Sequence, residues 1–153
     1  MEIIDFFKSE NREHWLIKIS ECCPDWRAVY TLVGLIESGD FHRQLGRGTL
    51  LLLTDGDRLV SFVTFAERDS IDDDSLSPWI GFVFTRPEYR GNRYVGRLIA
   101  RCEEMARENN IPKVYVCTDH VGLYEKYGFS YMESREDIYG GESRIYYKAI
   151  MNN

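Results

Sequence analysis

One segment constrains the fold of this chain more than any other: it runs from Trp79 to Ile99 and reads WIGFVFTRPEYRGNRYVGRLI. Its pattern predicts an apolar strand, then a turn and a basic loop with a glycine, and then an amphipathic helix. A helix that begins in this way presents unpaired backbone N–H groups and the positive end of its dipole. Arg90 and Arg93 add full positive charges at the same place. The segment therefore predicts a binding site for a phosphorylated ligand.

Two familiar phosphate-binding loops do not match this segment. The chain has neither the GxGxxG pattern of dinucleotide-binding proteins nor the GxxxxGK(S/T) pattern of Walker loops. Gly91 nevertheless permits an unusual backbone angle or the close approach of a ligand. The alternative interpretation is a helix start with solvated arginines, although arginines near a helix N-terminus oppose the dipole and so need another reason to be there.

The length and charge of the chain restrict its class. With 153 residues it is long enough to form one domain, spanning residues 1–153, with a sizeable core. A net charge of −6 argues against a nucleic-acid partner, because no broad basic face can neutralise many phosphates. An acidic surface favours a cationic partner instead.

The same bulk features bear on location and on metal binding. No uninterrupted apolar stretch approaches about 18 residues, and the first residues, MEIIDFFKSENREHW, do not resemble a signal peptide, so we expect no membrane span. The four cysteines have neither the spacing of a metal site nor an easy disulfide partner; they are Cys22, Cys23, Cys102 and Cys117. We therefore expect a cytoplasmic protein with reduced, buried thiols and no metal ion.

Hydrophobic periodicity predicts the element order β-α-α-β-β-β-α-β-α-β-β. The predicted strands are 2–6, 49–54, 59–65, 79–85, 114–118, 129–133 and 143–150, and the predicted helices lie near 15–23, 26–39, 95–106 and 121–127. Hairpin-forming strands beside one β-α-β unit predict a mixed sheet with helices on its faces.

Several local predictions accompany this order. Asp25 is expected to cap the second helix, whose apolar face is expected to hold Trp26, Val29, Tyr30, Val33 and Ile36. Residues 40–48, DFHRQLGRG, are expected to form a polar connection, and residues 67–77 an acidic loop. Gly81, inside the strand 79–85, predicts a bulge or a close backbone approach.

A second motif adds to the basic loop. Residues 122–129, GLYEKYGF, place two tyrosines on a short helix that ends at a glycine and leads back into a strand. Together with TRPEYRG at residues 85–91, this segment resembles the two signature elements of the GNAT superfamily of N-acetyltransferases, V-x-P-x-Y-R-G-x-G-x-G and (L/F)-Y-x-x-x-G-F. The order of elements along the whole chain agrees with the resemblance. The chain departs from the family pattern in two respects. Arg93 and Val95 stand where small residues are usual, and the loop 118–122 lacks the asparagine of many relatives.

The resemblance implies a fold and a cosubstrate. The fold is α/β (α+β), with a mixed, mostly antiparallel sheet of six or seven strands, splayed central strands and about four flanking helices. The cosubstrate is acetyl-CoA, whose pantetheine arm would lie along the backbone of Val83, Phe84 and Thr85. Its diphosphate would lie on the loop formed by Arg90, Gly91, Asn92, Arg93, Tyr94 and Val95.

The resemblance also implies a mechanism in which an amine attacks the thioester directly, within a ternary complex. Tyr124 would then lie close to the thioester and act as general acid for the departing thiolate. The alternative is an aromatic ring that packs on the sheet with its hydroxyl hydrogen-bonded. Tyr127 is expected to be structural.

The sequence does not identify a single residue as the general base. Candidates are Asp69, His120, Glu67 and the run 72–74. Asp69 is favoured because relatives place the loop between the third and fourth strands on the acceptor side. A solvated acidic loop, an ordinary histidine at a helix start, and a chain of water molecules remain open as alternatives.

These features together predict an enzyme that transfers an acetyl group from acetyl-CoA to a primary amine of a small molecule or peptide. A non-catalytic CoA-binding regulatory or interaction domain is the alternative. Four aromatic residues are candidates for the wall of the acceptor pocket: Trp15, Trp26, Tyr30 and Trp79. A homodimer is possible because dimers are common among relatives.

Overall fold

A computed structural model describes residues 1–150, which form a seven-stranded sheet in the order β1-β2-β3-β4-β5-β7-β6. The strands are Glu2–Asp5 (β1), Gly48–Asp55 (β2), Arg58–Ala66 (β3), Trp79–Thr85 (β4), Lys113–Thr118 (β5), Ser130–Glu136 (β6) and Glu142–Ala149 (β7). All neighbouring strands pair antiparallel except β4 and β5, which are parallel. The predicted mixed, mostly antiparallel fold is confirmed.

Four α-helices within residues 1–150 cover the two faces of the sheet: Arg12–Ser20 (α1), Ala28–Ser38 (α2), Phe41–Leu45 (α3) and Val95–Glu108 (α4). Alternate residues of a strand point to opposite faces. Leu50 and Leu52 of β2 therefore pack in the core cluster of α1, α2 and α3, whereas Leu51 and Leu53 pack in the cluster of α4. None of these helices combines the length and the apolar character that crossing a membrane requires.

The strands β4 and β5 separate soon after they meet. They pair only at Trp79 with Tyr115 and at Ile80 with Val116. On its other side β4 carries one extra residue relative to β3, because Thr64 pairs with Gly81 but Phe62 pairs with Phe84. Phe82, at this irregularity, has a φ of 45°. The bulge predicted at Gly81 and the predicted splay are both confirmed.

The start of the second helix differs from the prediction. Asp25 lies in a short 3-10 helix, Cys23–Asp25, and α2 begins three residues later with no side-chain cap. The buried face of α2 consists of Val29, Leu32 and Val33, and Tyr30 is 62% exposed. The prediction for Tyr30 was wrong because Val29, Leu32 and Val33 already form a complete i, i+3, i+4 stripe that turns Tyr30 toward solvent.

Two other local predictions need correction. Residues 40–48 are not simply a polar connection, because Phe41 and Leu45, one turn apart in α3, are both buried. The helix predicted near residues 121–127 is shorter: a 3-10 helix, Tyr124–Tyr127, which ends at Gly128 in the left-handed conformation (φ 88°). A glycine suits that conformation because it carries no Cβ.

Candidate active site

The loop before α4 offers a row of free backbone donors. Within residues 1–150, the N–H groups of residues 91–95 have no hydrogen-bond acceptor. Gly91 (φ 86°) and Arg93 (φ 56°) both adopt left-handed conformations, which can turn successive N–H groups into an anion-binding concavity. Arg93 thus takes the backbone conformation that a glycine takes most easily, at a cost of roughly 1–2 kcal/mol. The geometry fits a diphosphate at the start of a helix of 14 residues.

The side chains of this loop fold back on their own segment. The Arg90 Nε donates to the Thr85 carbonyl at 2.9 Å, and its guanidinium lies 5.4 Å from the centre of the Phe84 ring. The Asn92 side chain donates to the Tyr89 carbonyl at 3.1 Å. Tyr94 and Val95 are half-buried against the α4 cluster, and Arg93 is exposed. The six loop residues predicted to bind the cosubstrate therefore lie together at one end of β4.

The edge of β4 beyond the splay carries the other predicted binding residues. Val83, Phe84 and Thr85 follow the last β4–β5 pair, so this edge has no strand beside it within residues 1–150. Two of their carbonyls already have donors, since the Ser61 hydroxyl donates to Phe84 at 2.7 Å and Arg90 donates to Thr85. Beyond Ile80 and Val116 the strands diverge, and in this gap, called the wedge below, the unpaired edge of β4 could pair with an extended chain as with a strand.

Tyr124 lies in the core cluster on the α4 face and is 5% exposed. Its ring packs edge-on against Phe129, with centroids 6.0 Å apart. No hydrogen-bond partner of its hydroxyl lies within the described residues, and no side-chain oxygen there is both buried and unpaired, so the exposed part of Tyr124 includes the hydroxyl. Burial raises the pKa of Tyr124, and the charges of Cys117 and Asp69 raise it further.

Asp69, in the loop between β3 and β4, forms a small polar cluster with Ser70 and Cys117. The Cys117 thiol donates to Asp69 Oδ2 at 3.3 Å, and the Ser70 hydroxyl lies 3.4 Å from the same oxygen and 3.0 Å from the Cys117 sulfur. Burial raises the pKa of Asp69, which the donated hydrogen bonds only partly oppose. A carboxyl group with a raised pKa is a better proton acceptor than an ordinary aspartate.

The backbone of β4 comes very close to this carboxyl group. A Cβ on Gly81 would overlap Asp69 Oδ1 and would lie 2.9 Å from the Thr64 hydroxyl oxygen. The predicted close approach at Gly81 is therefore confirmed, and it brings the Asp69 carboxyl to the residue where the strands begin to diverge.

Asp69 and Tyr124 approach the wedge from opposite faces of the sheet. Cys117, the partner of Asp69, packs with Tyr115 on one face, and Tyr124 packs with Val116 on the other. Since neighbouring residues of β5 point to opposite faces, a group held between β4 and β5 would have a carboxyl on one side and a phenol on the other. This arrangement suits proton removal and proton donation on the two sides of one reacting centre.

The other candidates for the base lie in different surroundings. His120 is exposed, and its backbone N–H donates to the Thr118 hydroxyl at 3.0 Å. Glu67 pairs with Arg47. Hydrogen bonds from Ser75 and Arg135 lower the pKa of Asp73 to about 2, which makes it a weak base.

The sequence did not reveal the two contacts that hold the loop of Asp69 in place. Cys117 was expected to be a buried core thiol, but it is half-buried and hydrogen-bonded. Tyr139 lies in the turn between β6 and β7, which the Ile138 N–H fastens to the Ser70 carbonyl at 2.9 Å. The alternation of residues along β5 places Tyr115 and Cys117 on one face of the sheet, and this was the only feature of the sequence that pointed to the cluster.

The aromatic residues proposed for the acceptor wall divide into two groups. Trp15 and Trp79 are 4% and 1% exposed and belong to core clusters, so they do not line an open pocket. Trp26 stacks on Phe84 with centroids 6.1 Å apart, and Tyr30 is exposed. Of the four, Trp26 lies against β4 at the splay.

A family model described as the acetyltransferase (GNAT) family matches residues 5–129, which include β4, the basic loop and Tyr124. The chain belongs to the GNAT acetyltransferase family. It is an acyltransferase of this family, and the cosubstrate of GNAT enzymes is acetyl-CoA, so both expectations are confirmed.

Solved structures share the GNAT fold with this chain. An aminoglycoside 6'-N-acetyltransferase from Enterococcus faecium is 16% identical, with a TM-score of 0.73, 100% of this chain and 99% of that chain covered. An aminoglycoside 6'-N-acetyltransferase complexed with coenzyme A is 14% identical, with a TM-score of 0.71 and the same coverage.

A Bacillus anthracis protein assigned as a streptothricin acetyltransferase, in complex with acetyl-CoA, is 18% identical, with a TM-score of 0.55; 67% of this chain and 62% of that chain are covered. Comparison with curated proteins gave no match. Within residues 1–150, no three His, Cys, Asp or Glu side chains are grouped to hold a metal ion.

Proposed function

We propose that this GNAT enzyme transfers the acetyl group of acetyl-CoA to a primary amine of a small molecule or peptide. The observation that carries the proposal is the placement of Asp69 and Tyr124 on opposite faces of the sheet at the β4–β5 splay. The free N–H groups of residues 91–95 support a diphosphate site at the far end of the same strand. Val83, Phe84 and Thr85 would bind the arm between the two positions.

Asp69 and Tyr124 have separate roles in the proposed reaction. Asp69 takes a proton from the acceptor ammonium, which frees the nitrogen lone pair. A bond then forms between that nitrogen and the acetyl carbonyl carbon, and the bond from carbon to sulfur breaks. Tyr124 gives its hydroxyl proton to the departing thiolate, and the second proton that the nitrogen loses as it becomes an amide returns the tyrosine to its neutral form through solvent. His120 stays a second candidate for the base, acting at the exposed end of β5.

A CoA-binding domain without turnover is the alternative function. Arg93 and Val95 favour it, because they replace the small residues that the family usually places in the loop. The free hydroxyl of Tyr124 and the raised pKa of Asp69 favour the enzyme.

Two measurements on the same preparation separate these functions. Calorimetry with coenzyme A measures binding, and thiol release from acetyl-CoA in the presence of a panel of amines measures turnover. We expect binding together with amine-dependent thiol release. Binding without release from any amine would support the alternative, and no binding would contradict both. A cytoplasmic location, a homodimer and the lack of a nucleic-acid partner stay predictions from the sequence.

A further inference from the structure

A cavity of about 360 Å³ lies beside the Asp69 cluster, on the outer side of the loop between β3 and β4. Helix α3 contributes Arg43 and Gln44, and the turn between β6 and β7 contributes Ile138. The loop itself contributes Arg68, Asp69, Ile71 and Asp72. The cavity is thus lined by both guanidinium and carboxyl groups, next to the carboxyl that we place in the proposed reaction.

Arg68 is held in place by the end of α3. Its Nε donates to the Gln44 carbonyl at 3.0 Å, and its Nη2 donates to the Arg43 carbonyl at 3.2 Å. The backbone N–H of Arg68 also donates to the Leu45 carbonyl, at 2.9 Å. These contacts use two of the five N–H donors of the guanidinium and leave three.

The guanidinium of Arg68 has no acidic partner. Among residues 1–150, no carboxylate forms a salt bridge with Arg68. Arg43, the other cation of the cavity, pairs with Asp40 at 2.7 Å. Arg68 therefore offers a fixed positive charge with free donors, and its planar fork matches a carboxylate.

The opposite charge lies on the next residue of the chain. Asp69 lines the cavity, and the side-chain hydrogen bonds from Cys117 and Ser70 both reach Oδ2, so Oδ1, which lies against Gly81, accepts no side-chain hydrogen bond within the described residues. Asp72, exposed at the rim, adds a second carboxylate. An acceptor with ammonium groups alone would bring a positive charge against Arg68, whereas an acceptor with charges of both signs has a partner for each.

We propose that the acceptor is an amine that also carries a carboxylate, such as an amino acid, with Arg68 binding the carboxylate and Asp69 facing the ammonium group. This proposal rests on the proposed function and names the class of its substrate. The volume of the cavity suits a molecule of this size.

Lysine and cadaverine provide the test, because they differ by one carboxylate. We expect kcat/KM of the wild-type protein to be at least about tenfold higher for lysine than for cadaverine. Lysine methyl ester, in which the carboxylate charge is masked, is expected to behave like cadaverine. In Arg68→Gln the preference is expected to disappear, whereas Arg47→Gln, a control whose guanidinium pairs with Glu67 outside the cavity, is expected to keep it.

The outcomes separate this proposal from the proposed function. Turnover of cadaverine or of an aminoglycoside equal to or faster than that of lysine would overturn the acceptor class and leave the acetyltransferase intact. If Arg68→Gln does not fold, the comparison of lysine with its methyl ester in the wild-type protein decides. Calorimetry decides if no amine is turned over, since binding of lysine without binding of cadaverine would support the proposal and equal affinities would overturn it.

Discussion

The thiol of Cys117 on β5 donates a hydrogen bond to Asp69 Oδ2 over 3.3 Å. The two residues lie 48 positions apart in the chain, so this contact fastens the loop between β3 and β4 to the edge of the splay. Burial raises the pKa of the Cys117 thiol, with a further contribution from the charge of Asp69, so the sulfur keeps its proton and stays a donor. Cys117 therefore fixes the direction of the Asp69 carboxyl.

Replacement of Asp69 should change the pH dependence of turnover. Because Asp69 must lose its proton to act as a base and its pKa is raised, the wild-type rate should rise with pH at values above the ordinary aspartate range. Asp69→Asn should lower kcat about tenfold or more and remove this rise. Asp57→Asn, an exposed carboxyl in the turn between β2 and β3, is the control and should leave the profile unchanged. A retained acidic limb in Asp69→Asn would assign the base elsewhere, with His120 the next residue to test.

Asp69→Asn, which should lower turnover, should not lower the stability of the protein at neutral pH. The folded protein holds the Asp69 proton more tightly than the unfolded chain does, so the contribution of Asp69 to stability falls as pH rises from its unfolded pKa through its folded pKa. Asparagine has no charge to bury and removes this loss. We expect Asp69→Asn to unfold at the same or a higher temperature than the wild type at neutral pH, and at no higher temperature under acid conditions. A lower unfolding temperature at neutral pH would contradict the raised pKa.

Tyr124→Phe should separate proton donation from packing. The substitution keeps the ring, which contacts Phe129, and removes the hydroxyl. We expect kcat to fall about tenfold or more while the affinity for coenzyme A is unchanged. Tyr146→Phe is a matched control in the same cluster, because its ring is fully buried and its hydroxyl accepts a hydrogen bond from Arg144. Unchanged turnover in Tyr124→Phe would remove this hydroxyl from the mechanism.

Gly81→Ala should displace the carboxyl of Asp69. The new methyl group would overlap Oδ1, so the loop or the strand must shift, with a loss of about 1–3 kcal/mol in the free energy of unfolding and a decrease in kcat. Gly34→Ala in α2 is the control, because nothing lies within 4 Å of the added methyl group. That variant should gain about 0.5–1 kcal/mol, since alanine is the better helix former. Urea unfolding of both proteins measures the difference, and equal stabilities would contradict the close contact at Gly81.

An ion pair with a largely buried carboxylate should stabilise the segment that carries Tyr124. Lys148 Nζ lies 2.6 Å from Glu103 Oε1 and donates to the Tyr127 carbonyl at 2.9 Å, so it joins β7, α4 and the 3-10 helix Tyr124–Tyr127. Lys148→Met should lower the free energy of unfolding by about 2 kcal/mol, because Glu103 is left without its partner.

The double variant of Lys148→Met with Glu103→Gln should lose less than the two single losses added together. Lys18→Met breaks a pair, 3.7 Å apart, whose acid Glu21 is 42% exposed against 11% for Glu103, and should cost less than about 1 kcal/mol. Additive losses at Lys148 and Glu103 would show that the pair is not coupled.

The sequence predicted those features that depend on residues close together in the chain. The strand, basic loop and helix between Trp79 and Ile99 each follow from a local pattern, and Gly81 indicated the bulge because a glycine inside an apolar strand needs a reason. The polar cluster of Asp69 and Cys117 could not be predicted in the same way, because the path of the loop depends on contacts with β5 and with the turn between β6 and β7. Helix α3 was missed because its two buried residues stand among polar and glycine residues.

The cavity depends on the same long-range contacts. In the sequence Arg68 is one basic residue in an acidic loop, and no pattern assigns it a role. Its guanidinium takes a fixed direction only through its contacts with the end of α3. A single sequence shows the charge of such a residue but not its orientation, which several separate elements determine together.

Because β4 and β5 share only two residue pairs, the sheet consists of two halves, β1–β4 and β5–β7, joined along a short seam. Backbone amides that border the seam are expected to exchange with solvent faster than those of the fully paired neighbours β2 and β3. A cosubstrate that pairs along β4 would occupy the gap between the two halves and connect them. The protein would then gain much of its rigidity from the molecule that it consumes, and each round of turnover would loosen and retighten the sheet.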